Sequence, residues 1–319
     1  MTTLARLGER EAIRRLARHV GAGTDVTAGI GDDCAVARIE GSPWDLVLTT
    51  DPVIEGVHFL PDIAPERIGH KAAGRCLSDI AAMGAEPLWV LIDLVATPDE
   101  SMERLERIYN GATALCGRHG AAIIGGDLAR GPRLELHVFA VGRVPRGTAI
   151  PRGGARPGDR LYVTGTLGGS LAGKHLDFEP RVPEGAFLRE GGWAAAMLDV
   201  SDGLAADVRR MAEQSRCGVE LWPHAIPIAE AARAAGGTRS ALEHALCDGE
   251  DFELLFAVRE DHASEFETAW AAHFPLPATP VGRILDASQG LVMLGADGVA
   301  HAMNADGYQH FTDTGATWR

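Results

Sequence analysis

Glycine and aspartate keep company throughout this chain. Of its 319 residues 39 are glycine, against a usual share of about 7%. The excess gathers in short clusters beside acidic residues, as in Gly29-Ile30-Gly31-Asp32-Asp33 and Gly125-Gly126-Asp127. These clusters follow no fixed period, which excludes collagen-like and linker-like chains. Glycine serves where the backbone turns sharply, so the expectation is a folded protein of many tight turns. The length suits two domains or one large one, and it buries enough apolar surface to fold without disulfides or metals.

Hydrophobic runs place the elements between these turns. Residues 44–50 read as a strand ending at Asp51, followed by a helix over 65–83 and a strand over 88–96. A helix over 98–118 starts at Pro98 and stops before Gly120. The short run 121–124 enters Gly125-Gly126-Asp127, and 134–144 reads as a longer strand. Residues 145–159 are rich in Pro, Gly and Arg and nearly free of apolar side chains, which marks a domain boundary and divides the chain into 1–148 and 149–319. Beyond it come a strand over 160–164, a helix over 167–175, and a strand over 197–200 that meets Asp202-Gly203 and the helix 204–216. Strands at 217–222, 252–258 and 280–284 alternate with helices near 227–235, 238–246 and 261–273. The pattern is a mixed α/β fold in two domains.

Thirty Lys and Arg against 44 Asp and Glu leave a net charge of −14. That speaks against a broad nucleic-acid surface, which needs clustered cations. It leaves room for a phosphate ligand where divalent cations stand between phosphate and carboxylate. The five cysteines lie 30 or more residues apart, a spacing that fits reduced thiols in a cytosol and neither zinc nor a disulfide framework. Arg6, Arg10, Arg14, Arg15 and Arg18 are interrupted by Glu9 and Glu11, and no apolar signal core follows. The stretch therefore reads as a first helix docked through Leu4, Leu7, Ile13, Leu16 and Val20. The most apolar run, 87–96, is half a membrane span and carries Asp93. A cytoplasmic protein without membrane segments is expected.

Gly168-x-x-x-x-Gly173-Lys174 follows a strand and comes close to a P-loop. Its next residue is His175, which cannot supply the hydroxyl that a P-loop offers to Mg. The dinucleotide spacing of glycines is also missing after any strand. A stronger signal is the set of acids at strand ends and glycine turns: Asp32-Asp33, Asp51, Asp79, Asp127, Asp199, Asp202, and Asp248/Glu250/Asp251. Singly, each reads equally well as a turn former or helix N-cap, Asp202 most of all. Together they pose an electrostatic problem. Two carboxylates 4 Å apart repel by about 4 kcal/mol at an effective dielectric near 20, so several in one cleft call for cations. Oxygen donors without His or Cys suit Mg, and Mg suits a protein that handles phosphates.

Beyond these acids, several ordered strings resemble the thiamine-monophosphate kinase family. They are Gly29-Ile30-Gly31-Asp32-Asp33-Cys34-Ala35, Thr49-Thr50-Asp51, Gly56-Val57-His58-Phe59, and Leu77-Ser78-Asp79-Ile80-Ala81-Ala82-Met83-Gly84-Ala85. Ile124-Gly125-Gly126-Asp127, Asp199-Val200-Ser201-Asp202-Gly203-Leu204, Gly249-Glu250-Asp251-Phe252-Glu253-Leu254 and Gly307-Tyr308-Gln309-His310-Phe311 complete the series. That family belongs to the aminoimidazole-ribotide synthetase superfamily of ATP-using proteins. The resemblance implies an N-terminal ATP/Mg-binding α/β domain whose strands form a barrel across a homodimer, and a C-terminal α/β domain that completes the active site. It implies an ATP site without a P-loop. By motif, Asp33, Thr49, Thr50, Asp51, Asp79, Asp127, Asp199 and Asp202 would hold several Mg ions, with Asp127, Asp51, Asp79 and Asp202 central to catalysis. Tyr109, Gly126, Asp127, Arg152 and Ser201 would contact ATP, and His58, Glu250 and Tyr308 the thiamine phosphate.

The chain departs from the family pattern in a shorter stretch between Gly173 and Pro180. Asp177-Phe178-Glu179-Pro180-Arg181 stands where a His-Leu-Arg-Pro-x-Pro-Arg string is common, and Cys247-Asp248-Gly249 replaces a Gly-Gly pair. The reaction implied is transfer of the ATP γ-phosphoryl group to thiamine monophosphate. Two other readings stand beside it. One is a different ATP-driven reaction of the superfamily, for which Cys34 offers a nucleophile. The other is a non-catalytic Mg-nucleotide sensor.

Overall fold

The computed structural model describes residues 2–21, 23–305, 307–308 and 311; Gln309 and His310 of the last motif lie outside them. The N-terminal half holds α1 (Leu4–Leu7), α2 (Glu9–Ala17), β1 (Val26–Ala28), β2 (Ala35–Arg38), β3 (Trp44–Ile54), α3 (Pro65–Ala82), β4 (Glu86–Ala96), α4 (Met102–Arg118), β5 (Ala122–Arg130) and β6 (Glu135–Pro145). Its strands form one sheet in the order β1-β2-β3-β6-β4-β5, antiparallel except where β4 meets β5. Alternation along the long strands turns Val47, Val90, Ile92, Leu136 and Val138 inward onto Ile68, Ala72, Leu77 and Ile80 of α3 and Ile108 and Leu115 of α4. The opposite face is uncovered: Trp89, Ile124 and Phe139 are exposed there.

The C-terminal half holds β7 (Arg160–Thr164), a 3₁₀ turn at Ser170–Ala172, α5 (Lys174–Asp177), α6 (Val182–Glu190), β8 (Ala194–Asp199), α7 (Leu204–Ser215), β9 (Gly218–Leu221), α8 (Glu230–Ala234), α9 (Ala241–Cys247), β10 (Leu254–Val258), α10 (Ala263–His273), β11 (Ala278–Leu285), β12 (Leu291–Leu294) and β13 (Ala300–Ala302). The second sheet runs β13-β12-β9-β11-β7-β10-β8, and only β9 and β12 pair in parallel. All five residues of β10 are buried. Leu255 and Ala257 face an aliphatic core under α7, while Leu254, Phe256 and Val258 face an aromatic one built on Tyr162, Phe266 and Trp270. A strand covered on both faces reads as a continuous apolar run.

Several elements differ from the sequence expectation. Asp51 sits inside β3, which continues to Ile54, and β5 runs through Gly125-Gly126-Asp127 to Arg130. The first helix breaks at Gly8, whose φ is +71°, and of α2 only Ala12 is buried. The helix expected over 167–175 is a 3₁₀ turn followed by α5, because Gly168, Gly169 and Gly173 adopt positive φ. Helix α4 begins at Met102 behind Ser101, whose side chain accepts a hydrogen bond from the Arg104 amide, leaving Pro98 outside. Asp202 is not an N-cap; Gly203 precedes α7 and no side chain caps it. Strands β1, β2, β12 and β13 and helix α6 were not foreseen: the strands are three or four residues long, too short for a period to show.

Helix α3 lies between the halves, touching the first sheet, α5, α6 and β8. Its crossing with α4 depends on two glycines: a Cβ on Gly69 would lie 1.8 Å from Ile108 O, and one on Gly111 would lie 1.9 Å from Glu66 O. Gly111→Ala should therefore lower stability by about 1–3 kcal/mol through overpacking, despite a helix-propensity gain of about 1 kcal/mol. Urea unfolding of the variant measures the difference; equal or higher stability would contradict the backbone contact.

Candidate active site

A cleft of about 1000 Å³ opens where the two halves meet. One wall is carboxylate. Asp33 from the loop after β1, Asp79 from the last turn of α3 and Asp199 from the end of β8 bring one oxygen each to within 4.8 Å of one another. Thr49 Oγ1 donates to Asp79 Oδ2 at 2.6 Å, and Ser78 Oγ to Asp199 Oδ2 at 2.5 Å. Burial, followed by the charges of Asp199, Asp51 and Asp33, raises the Asp79 carboxyl well above its ordinary range. Burial and Asp33 push Asp199 up to about 8. Burial and Asp33 likewise push Asp32 up to about 6. Asp33 Oδ2 is buried and meets no donor among the described residues. Three converging hard oxygens, one without a partner, fit a divalent cation of the Mg or Ca class.

Arginines surround this wall. Arg152 pairs with Asp33 and donates from Nη1 to Gly31 O at 2.9 Å, while its amide reaches Asp32 Oδ1 at 3.0 Å. Arg210 pairs with Asp202 and, at 2.7 Å, with Asp207. Arg75 forks onto Asp51, with Nε to Oδ2 at 2.7 Å and Nη2 to Oδ1 at 3.0 Å. Cys34 and Cys76 lie buried behind the acids, where desolvation raises both thiols well above their usual range. A buried thiol of that kind is inert, which removes Cys34 as a recruited nucleophile.

The other wall carries His58, Glu250, Phe252 and Tyr308. His58 Nδ1 accepts the Ile54 amide at 3.1 Å, so in the neutral ring Nε2 carries the proton. Glu250 (φ +52°) and Phe252 (φ +51°) sit in a left-handed turn whose amides bond Ser201 O and Val200 O. Burial alone would raise the Glu250 carboxyl, yet Lys71 and Arg75 hold it below its ordinary value. The tail closes the wall: Tyr308 N donates to Asp202 O at 2.8 Å. A Cβ on Gly307 would lie 2.2 Å from that same oxygen, so the close approach requires glycine.

Asp33, Thr49, Thr50, Asp51, His58, Asp79, Arg152, Asp199, Ser201, Asp202, Glu250 and Tyr308 thus line one cleft. Tyr109, Gly126 and Asp127 do not. Asp127 lies exposed on the edge strand β5 opposite Asp93 of β4. Tyr109 packs half-buried against the N-terminal core, its hydroxyl raised by burial and by Asp93. Gly126 is required by the fold, since a Cβ there would lie 1.9 Å from Ile92 O. Sequence reasoning missed Lys71, Arg75, Arg210 and Phe252. No local signal marked Lys71 and Arg75, because α3 also carries Glu66, Arg67, His70, Ser78 and Asp79.

The P-loop-like string is engaged elsewhere. Gly168 N donates to both Asp251 oxygens at 3.0 Å and Gly169 N to Asp248 Oδ2 at 2.9 Å. Lys174 Nζ holds Thr166 O and Glu253. The loop's donors already serve the chain's own acids and carbonyls.

Comparison with known proteins agrees with this geometry. Residues 31–144 match the family AIR synthase related protein, N-terminal domain, and residues 156–294 its C-terminal domain. Thiamine-monophosphate kinase of Escherichia coli (strain K12) is 36% identical over 308 residues, covering 90% of this chain and 93% of that protein. The Rhodopirellula baltica protein of the same name is 40% identical, covering 82% and 84%. The chain belongs to the thiamine-monophosphate kinase family. Among solved structures, AaThiL complexed with AMPPCP and TMP superposes with a TM-score of 0.83 at 29% identity, covering 97% of this chain and 99% of that one. Thiamine-monophosphate kinase from Stenotrophomonas maltophilia K279a gives 0.73 at 35% identity, covering 91% and 96%. Escherichia coli HypE, at 22% identity and 0.69, shares the fold.

In this member of the thiamine-monophosphate kinase family, the acidic wall predicts a stability effect separate from turnover. Without divalent cations, Asp79→Asn should raise the melting temperature, because it removes a charge that the folded state disfavours. With cation at a hundred times its Kd, the native chain gains about 2.7 kcal/mol, and the variant should lose most of that increment. Thermal melts in chelator and in Mg test both halves; an equal cation-dependent rise in the variant would remove Asp79 from the cation site.

Proposed function

We infer that this chain is a thiamine-monophosphate kinase, transferring the γ-phosphoryl group of ATP to the phosphate of thiamine monophosphate to give thiamine diphosphate and ADP. The observation that carries it is the two-walled cleft: crowded carboxylates on one side, His58, Glu250 and Tyr308 on the other. The names of the relatives and the AMPPCP and TMP held by AaThiL support the same reading.

The acceptor is a phosphate monoester with a second pKa near about 6, already ionised at neutral pH. No general base is required. The difficulty is bringing a dianion in line with a triphosphate, so positioning and charge screening supply the catalysis. Asp33, Asp79 and Asp199 would hold Mg, with Asp51, Thr49, Thr50 and Asp202 beside them; when bound, Mg neutralises charge between the two phosphates. Arg152, which donates to Gly31 O and lines the same cleft as Ser201, presents a guanidinium suited to polyphosphate oxygens. His58 offers a donor at Nε2. Tyr308 offers an aromatic face to a cationic thiazolium.

A homodimer through the uncovered face of the first sheet follows from the same reading, since Trp89, Ile124 and Phe139 are exposed there. It would place Tyr109, Gly126 and Asp127 at or beside the interface, where their ATP and Mg roles belong to the paired assembly. We place the division between the ATP/Mg-binding half and the C-terminal half at 148/149, and the enzyme in the cytoplasm; among the described residues no helix is long and apolar enough to cross a membrane.

ADP should form from ATP only when thiamine monophosphate is present. Release without it points to another reaction of the superfamily, and no release at all to a nucleotide sensor. Asp127→Asn should abolish turnover while leaving the melting temperature unchanged; a normal rate at ordinary Mg would remove Asp127 from the site.

Tyr308→Ala should raise the Michaelis constant for thiamine monophosphate roughly 2- to 30-fold, the factor for a cation–π or stacking contact of about 0.5–2 kcal/mol. The constant for ATP should hold. Steady-state kinetics with each substrate varied decides it, and an unchanged constant with a lowered melting temperature would assign Tyr308 to packing alone.

A further inference from the structure

Lys71 and Arg75 stand one turn apart on α3 and face the same way. Lys71 is completely buried, and burial pulls its ammonium down to about 8. Its Nζ donates to His58 O at 2.7 Å and to Glu250 Oε2 at 2.9 Å. Arg75 divides its donors: Nε and Nη2 grip Asp51, and Nη1 reaches Glu250 Oε1 at 3.0 Å. The Phe252 ring lies 6.0 Å from its guanidinium carbon. Direct polar contacts therefore run without a break from His58 through Lys71, Glu250 and Arg75 to Asp51.

We propose that Arg75, seconded by Lys71, is a positioning residue that locks the substrate-side carboxylate Glu250 and the cation-side carboxylate Asp51 into one frame. The proposal rests on the assignment of His58 and Glu250 to the substrate wall and Asp51 to the cation wall. Two features support it. Glu250 holds a left-handed backbone conformation that an ordinary side chain adopts only under constraint, and both Lys71 and Arg75 converge on its carboxylate. Asp51, for its part, has both oxygens oriented by one planar fork. A lysine at position 75 would keep the charge but is a point donor, unable to span the fork and the third contact together.

The test is a double-mutant cycle. Arg75→Lys should raise the Michaelis constant for thiamine monophosphate and the half-saturating Mg together, each by about 2- to 150-fold, the range that coupling between contacting residues converts to. The kcat at saturation of both should fall much less. Arg75→Lys added to Glu250→Gln should leave the Michaelis constant of Glu250→Gln unchanged. Glu250→Gln alone should also raise half-saturating Mg in a thermal-shift titration, although Glu250 is no cation ligand; this arm needs neither turnover nor a folded Arg75 variant. Additive effects, movement of only one constant, an unchanged Mg midpoint in Glu250→Gln, or a lowered melting temperature with both constants intact would overturn the proposal. A native chain that shifts with Mg yet never consumes thiamine monophosphate would overturn the kinase reading instead, and the Mg arm would still judge Arg75.

Discussion

Repulsion among Asp33, Asp79 and Asp199 is the constraint around which the rest of this structure is arranged. Their oxygens lie within 4.8 Å of one another, and burial removes the water that would screen them. Such a trio persists only if each member is held from behind. Thr49 and Ser78 donate to two of them, and Arg152 takes one oxygen of the third. The backbones that carry them are a loop, a helix end and a strand end from two different sheets, so the cost is spread over both halves.

Helix α3 makes that arrangement rigid. It is wrapped on one side by the first sheet, whose core holds most of its apolar side chains, and on the other by α5, α6 and β8, which explains why most of its residues are buried. The paired glycines Gly69 and Gly111 bring α4 into backbone contact with it. From that fixed rod project Lys71, Arg75, Ser78 and Asp79, which serve both walls of the cleft. One helix therefore sets the distance between the acidic wall and the wall assigned to substrate.

Much of this was legible in the residues. Aspartates beside glycines pointed to the acidic cluster; the strands β4 and β6 and the helices α3 and α7 were found near their observed limits, and β3 and α4 were found with one end displaced. The misses have physical causes. Three- and four-residue strands carry no measurable period, so β1, β2, β12 and β13 escaped. Gly8 broke a helix whose apolar spacing continued across it. Asp202 looked like a cap because Gly203 and a helix follow, yet its carboxylate is drawn sideways to Arg210, eight residues further on in α7. Lys71 and Arg75 were passed over because their partners, Glu250 and Asp51, lie 179 and 24 residues away. Nothing local distinguishes a buried, paired cation from a solvated one.

The return of the tail to Asp202 has a consequence for how the molecule comes into being. A ribosome releases Asp33, Asp51 and Asp79 early, but Ser78 must wait for Asp199, 121 residues further on, and Tyr308 follows later still. Contacts of such sequence separation form late, after the loops between them have been closed. The carboxylates of a nascent first half therefore lack Asp199, the largest single charge acting on Asp79 in the finished cleft. The charge strain of the site reaches its full extent only once Asp199 arrives with the second sheet.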